Sequence, residues 1–123
     1  MITFDTGALI ALERRSARML RIVAAVSQTD ARITIPTVVL AEWWRGRPSK
    51  RMARLLDGAL LEPLAPRLAC IAGEAVAAVK GATTNDAIVV ASAAQRGDAV
   101  FTSDVDDLGR LASYFRSVRV LHV

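Results

Sequence analysis

The sequence has 123 residues, 53% of them hydrophobic, and carries sixteen Lys and Arg against twelve Asp and Glu for a net charge of +4. This length predicts one domain, residues 1–123, and this composition supplies a packed core, which excludes an intrinsically disordered chain. The positive charge favours an anionic partner such as a nucleic acid.

No apolar run approaches the ~20 residues that a membrane span needs, and the N-terminus lacks the basic region of a signal peptide. We therefore predict a cytoplasmic protein without a membrane segment. The single Cys70 excludes an internal disulfide. Its apolar neighbours at helical spacing predict that it is buried.

Short strand-like runs alternate with longer helical patterns along the chain. Strands are predicted at 1–4, 32–36, 99–102 and 118–123, with a weaker one at 60–64. Helices are predicted near 6–14, 16–28, 37–46, 49–58, 66–80, 84–96 and 107–115, with start or stop signals at Ser16, Ser49, Pro66, Gly81 and Gly97. This alternation is typical of an α/β fold with a mostly parallel sheet and helices on both faces.

Two aspartates lie at the ends of predicted strands. Asp5 ends "MITFD" and Asp104 ends "AVFTSD". Ligands of a parallel sheet bind at the carboxyl ends of its strands, so both acids are candidates for a functional site. Both also suit the N-cap of the next helix, with Ser103 as another possible cap, and Asp106 and Asp107 would complement that helix dipole.

Two further acids lie near the start of predicted helices. Asp86 is in the first turn of "TNDAIVVASAA", and Glu42 is about a turn and a half into the helix that follows the second strand. A helix dipole or simple surface exposure would account for each alone. Together with Asp5 and Asp104 they would meet at one sheet edge, where crowded carboxylates require a cation such as Mg²⁺ or Mn²⁺.

The remaining charge suits a phosphate substrate. If Asp5, Glu42, Asp86, Asp104 and Asp107 form the site, the rest of the chain carries +9. The densest basic stretch, "RGRPSKRMAR", follows Glu42 and offers RNA-binding candidates: Arg45, Arg47, Lys50 and Arg51. A solvated helical face is the alternative interpretation of this stretch.

Four motifs in chain order resemble those of the PIN-domain ribonucleases, and among them the VapC-type toxins of bacterial toxin–antitoxin pairs. The motifs are "ITFDTGALIAL", "IPTVVLAEWWRG", "TTNDAIVVASA" and "VFTSDVDDL". The resemblance implies a three-layer α/β/α sandwich, divalent-metal-dependent cleavage of RNA, a homodimer, and inhibition by a cognate VapB-like antitoxin.

The resemblance also implies roles for individual residues. Asp5, Glu42, Asp86 and Asp104 match the catalytic, metal-binding acids. Asp107 matches a frequent additional acid, and Thr102 a frequent hydroxyl before the fourth acid. Many relatives have Ser or Asn where this chain has Gly7. A supporting hydrogen bond would therefore be missing or supplied by Thr6.

The expected reaction is hydrolysis of an RNA phosphodiester assisted by one or two Mg²⁺ or Mn²⁺ ions. The only histidine, His122, excludes a ribonuclease that uses paired histidines. Two alternatives remain: a non-catalytic RNA-binding or scaffold domain, and a haloacid-dehalogenase-type phosphatase with Asp5 as nucleophile. The latter family places a second Asp where Gly7 stands.

Trp43 and Trp44 are adjacent, so one helix face cannot bury both. We expect one of them in the core. The other is either exposed, where an antitoxin or a second subunit could cover it, or partly buried under the chain's own loop.

Overall fold

The computed structural model describes residues 1–123 and contains five strands that alternate with helices. The strands are β1 (Ile2–Phe4), β2 (Ile33–Pro36), β3 (Leu60–Glu62), β4 (Ala99–Thr102) and β5 (Arg119–His122). The helices are α1 (Thr6–Glu13), α2 (Ala17–Ser27), α3 (Thr37–Trp43), α4 (Lys50–Gly58), α5 (Pro66–Ala78), α6 (Thr84–Arg96) and α7 (Val105–Tyr114). All five predicted strands are present, including the weak one.

The five strands form one parallel sheet in the order β3-β2-β1-β4-β5. Ile2 in β1 pairs with Ile33 of β2 on one side and with Ala99 of β4 on the other. The chain winds outward from β1 to β3, then returns and continues from β4 to β5. The winding direction therefore reverses between β1 and β4, and the crevice beyond their carboxyl ends is the expected ligand position.

The helices flank the sheet, which confirms the predicted α/β/α arrangement. Strands β2 and β4 are buried along their whole length, as expected where helices cover both faces. At the centre, the rings of Phe4 and Phe101 from neighbouring strands meet edge to face, with centroids 6.1 Å apart. None of the seven helices has both the length and the apolar composition needed to span a membrane.

Most helix ends follow the predicted signals. Ser16 and Ser49 are N-caps, Pro66 is the first residue of α5, and Gly97 ends α6 in the left-handed conformation. Helix α3 ends at Trp43 rather than near residue 46, because Trp44 has extended backbone angles. Helix α7 begins at Val105, two residues earlier than predicted.

The burial predictions for Cys70 and for the two tryptophans have different outcomes. Cys70 is exposed, so the prediction of a buried thiol is wrong. Helix α5 buries the stripe of Leu68, Ala72 and Ala75, and Cys70 lies off this stripe. The prediction for the tryptophans is confirmed, since Trp43 is 8% exposed and Trp44 is 43% exposed.

A buried polar network connects Arg96, the last residue of α6, to the sheet. The Arg96 guanidinium donates to Asp98 Oδ2 (2.9 Å), Glu62 Oε2 (2.5 Å), Thr3 Oγ1 (3.0 Å) and Ser92 Oγ (2.9 Å). Thr3 Oγ1 in turn donates to Asp98 Oδ2 at 2.9 Å. The network orients α6, whose opposite end carries Asp86.

Candidate metal centre

Acidic side chains gather at the crevice where the winding of the sheet reverses. Asp5 follows β1 directly and is the N-cap of α1, and Asp104 follows β4 and is the N-cap of α7. Asp86 is in the first turn of α6. The positions that make these residues suitable helix caps also bring them to one edge of the sheet, so the two interpretations of their role are compatible.

Asp86, Asp104 and Asp107 form the tightest group, which we call the acidic trio. Each offers one carboxylate oxygen, and these atoms lie within 4.8 Å of one another. Asp86 and Asp107 are partly buried and Asp104 is exposed. The trio joins the starts of α6 and α7, two consecutive helices on either side of β4.

Asp5 is buried beside the trio and both of its carboxylate oxygens are engaged. Oδ1 accepts from the Ala8 backbone N–H at 3.0 Å. Oδ2 accepts from the Thr102 hydroxyl, whose oxygen also accepts from the Asp104 backbone N–H at 2.9 Å. Thr102 therefore links Asp5 to the start of α7.

Glu42 lies on α3 and is exposed. Its Oε1 accepts a 2.9 Å hydrogen bond from the Thr6 hydroxyl, and Thr6 is the residue directly after Asp5. This contact fixes Glu42 next to the end of β1. The predicted supporting hydroxyl of Thr6 thus acts on Glu42.

Burial and mutual repulsion raise the pKa values of acids in this site. Burial raises the pKa of Asp86, and the negative charges of Asp104, Asp107 and Glu42 raise it further. Burial also raises the pKa of Asp5, with a smaller contribution from the charge of Asp86. The charge of Asp86 therefore interacts with the charges of the other four predicted acids.

The pKa of Asp104 is raised for a different main reason. The close approach of the Asp107 side chain is the main cause that raises the pKa of Asp104, with smaller contributions from burial and from the charge of Asp106.

The donor set fits a divalent cation of the Mg²⁺ or Mn²⁺ type. Such ions prefer oxygen ligands, and the acidic trio presents three carboxylates at close range. The trio's one ion-pair partner is Arg110, whose guanidinium contacts Asp107 at 2.5 Å on the exposed side. One exposed arginine does not balance this group of acids, so a bound cation would relieve the repulsion.

The structure does not bring all the predicted RNA-binding residues to this centre. Arg51 donates to the carbonyl oxygens of Leu12 and Glu13, at the end of α1 opposite Asp5. The eight residues of α1 separate these ends by about 12 Å. Arg45, Arg47 and Lys50 are exposed between α3 and the first turn of α4.

The presence of glycine at position 7, two residues after Asp5, has a steric reason. A Cβ atom on Gly7 would lie 2.9 Å from both the Cβ and the backbone nitrogen of Ser103, and closer still to Ser103 Oγ. The phosphatase alternative needs an acid at position 7, and Ser103 occupies that space. From the sequence, Ser103 was expected only as a possible helix cap. The signal of a close approach was a glycine inside a helical pattern.

The comparisons with known proteins agree with this fold. The PIN domain family model matches residues 2–113. No curated protein matches the chain in sequence. Among solved structures, VapBC2 from Rickettsia felis bound to a promoter DNA fragment has a TM-score of 0.75 at 13% identity, with 100% of this chain and 99% of that chain covered.

Two other complexes share the fold. A toxin–antitoxin complex from Klebsiella pneumoniae has a TM-score of 0.71 at 16% identity, covering 96% of this chain and 95% of that chain. FitAB bound to an IR36 DNA fragment has a TM-score of 0.64 at 20% identity, covering 99% and 94% respectively. With the family model matching nearly its whole length, the chain belongs to the PIN domain family.

Proposed function

We propose that this chain is a divalent-metal-dependent endoribonuclease, the VapC-type toxin of a toxin–antitoxin pair, acting in the cytoplasm. The observation that carries the proposal is the acidic trio, supported by Asp5 and Glu42 at the crevice of a PIN-domain fold. The similar solved structures include toxin–antitoxin complexes, which supports the biological role.

The protein's contribution to the reaction is to hold acids in fixed positions. Asp86, Asp104 and Asp107 would hold Mg²⁺ or Mn²⁺, with Asp5 and Glu42 beside them. When bound, the cation polarises a phosphodiester and activates water. Thr102 fixes the orientation of the Asp5 carboxylate, and Thr6 fixes that of Glu42. Such hydrogen bonds keep a site in the geometry that catalysis needs.

The charge distribution supports an RNA substrate. Outside the five acids of the site the chain carries +9, which attracts a phosphate backbone. Arg45, Arg47 and Lys50 remain our candidates for backbone contacts, because they are exposed and form no ion pair. Arg51 is a weaker candidate, since its guanidinium contacts the end of α1.

Purified total RNA tests the enzymatic proposal directly. We expect the antitoxin-free chain to cut RNA into discrete fragments with Mg²⁺ or Mn²⁺, and EDTA to stop the cleavage until excess metal is restored. The non-catalytic alternative predicts intact RNA and binding that depends on salt but not on EDTA. Intact RNA in every lane, from protein shown to be folded, would favour that alternative.

We also propose a homodimer and a cognate VapB-like antitoxin as partners. Exposed apolar side chains support further contacts: Trp44 after α3, and Leu60 and Leu61 on the edge strand β3. Sedimentation of the chain alone should give twice the 13.2 kDa chain mass. A single-chain mass at micromolar concentration would contradict the homodimer.

A further inference from the structure

Gly7 is a glycine because of a neighbour, not because of its own backbone. Gly7 is not one of the three glycines with a positive φ, which are Gly46, Gly81 and Gly97. Glycine in a helix is less stable than alanine, so its place in the first turn of α1 has no local advantage. The close approach of Ser103 supplies the reason, since any Cβ at position 7 would overlap that side chain.

Ser103 differs from the other two hydroxyl side chains that follow β1 and β4. The Thr6 hydroxyl donates to Glu42, and the Thr102 hydroxyl donates to Asp5. Ser103 is exposed and its hydroxyl donates no hydrogen bond within the protein. It lies between Thr102 and Asp104, against the first turn of α1. Its proton is therefore free for a ligand that reaches the loop between β4 and α7.

A phosphodiester at this centre needs hydrogen-bond donors. Carboxylates and phosphate oxygens are both acceptors, so the five acids provide none in their ionised form. The one cationic side chain that contacts the acidic trio, Arg110, is already paired with Asp107. An unengaged hydroxyl beside Asp104 meets the need without adding charge among the acids.

We propose that the Ser103 hydroxyl donates a hydrogen bond to a phosphate oxygen of the RNA at the acidic centre, as a substrate-positioning residue. This inference rests on the proposed ribonuclease function. Gly7 is the structural counterpart of Ser103, because only a residue without Cβ leaves room for this hydroxyl. With glycine at position 7, α1 carries no hydroxyl there. Ser103, in the loop after β4, supplies one instead.

The first test is Ser103→Ala, with RNA cleavage and Mn²⁺ affinity both measured. Loss of one hydrogen bond to a charged group predicts a kcat/KM about 10- to 100-fold below wild type. Mn²⁺ affinity should remain within about twofold, because the hydroxyl contacts no acid of the centre. Unchanged cleavage by Ser103→Ala would overturn the inference.

Two double variants separate the effect of the hydroxyl group from the effect of filling the space at position 7. Ser103→Gly removes the Oγ and Cβ atoms that a side chain at position 7 would meet and leaves the backbone nitrogen of residue 103 as the one close neighbour, at 2.9 Å. Gly7→Ser added to it returns a hydroxyl from α1. The matched control, Gly7→Ala with Ser103→Gly, fills the space without a hydroxyl. We expect the serine double variant to recover at least about half of the lost kcat/KM on a logarithmic scale and the alanine double variant to recover none.

The outcomes distinguish this inference from the proposed function. Equal recovery by both double variants would show that packing alone matters and would overturn the role of the hydroxyl. If the wild-type chain itself leaves RNA intact, the proposed function fails and the inference fails with it. Cleavage by wild type together with full activity of Ser103→Ala would reject the inference alone.

Discussion

Asp86→Asn is expected to lower RNA cleavage at least about 100-fold while the chain stays folded. Asp86 belongs to the acidic trio, and its pKa responds to the charges of Asp104, Asp107 and Glu42. Asp5 would be a less clear target, because it also caps α1 and accepts from Thr102. Asp86 can lose its charge without removing a helix cap.

The same variant should change how stability depends on pH when metal is absent. The pKa of Asp86 is raised above 3.8 in the folded state, so the folded chain holds this proton more tightly than the unfolded chain. The resulting stabilisation is full below pH 3.8 and is lost as pH rises through the raised pKa. Asparagine carries no charge, so this loss should shrink.

Thermal unfolding in EDTA from pH 4 to pH 7.5, at about 0.5-unit steps, measures this effect. We expect the melting temperature of wild type to fall more steeply with pH than that of Asp86→Asn. Asp5 and Asp104 have pKa values raised in the same direction, so a smaller decline should persist in the variant. A steeper decline in the variant would contradict repulsion at Asp86.

Asp106→Asn is the matched control for cleavage. Asp106 lies in the first turn of α7 beside Asp107, yet it is exposed and stands outside the acidic trio. Its charge complements the helix dipole, as the sequence analysis expected. Cleavage by Asp106→Asn should stay within about twofold of wild type. Equal loss in both variants would mean that general negative charge, rather than the trio, is required.

Features set by local pattern could be predicted from the sequence. Alternating strands and helices predict a parallel sheet, and Asp5 and Asp104 directly after strands must then meet at its carboxyl edge. Thr102 was predicted from the resemblance to the PIN-domain ribonucleases, which often have a hydroxyl before the fourth acid.

Features set by contacts between distant segments could not be predicted from the sequence. The basic residues follow Glu42 closely in sequence, but α3 ends at Trp43 and the chain then carries Arg51 to the far end of α1. The overlap between position 7 and Ser103 joins segments that are 96 residues apart. Neither depends on a local propensity, so only the folded arrangement reveals it.

Arg96→Met should destabilise the fold by about 3–5 kcal/mol, a large part of the 5–15 kcal/mol typical of a domain. The side chain of Asp98 is fully buried, and its Oδ1 has no hydrogen-bond partner. Its Oδ2 interacts with Arg96 and Thr3 only. Without Arg96 a buried carboxylate would lose its one counter-charge.

Lysine at position 96 should not restore the stability that Arg96 provides. The guanidinium uses Nε and both terminal nitrogens to reach Asp98, Glu62, Thr3 and Ser92 together. A lysine ammonium is a single point with three donors and cannot span these positions. We expect Arg96→Lys to be nearly as destabilised as Arg96→Met in denaturant unfolding.

The control is Arg67→Met in the first turn of α5, where the arginine is exposed and forms no ion pair. Its unfolding free energy should stay within about 0.5 kcal/mol of wild type. Combining Arg96→Met with Asp98→Asn should be milder than Arg96→Met alone, because no ionised carboxylate remains buried without a partner. Additive losses would instead show that Arg96 acts through packing.

Loss of this network should also reach the metal centre, which lies at the other end of the same helix. Arg96 is the last residue of α6 and Asp86 is in its first turn. A helix released at one end samples positions that separate Asp86 from Asp104 and Asp107. At a temperature where Arg96→Met is still folded, Mn²⁺ affinity should therefore fall, whereas Arg67→Met should bind as wild type does. Unchanged affinity would show that packing along α6 holds Asp86 in place without the network.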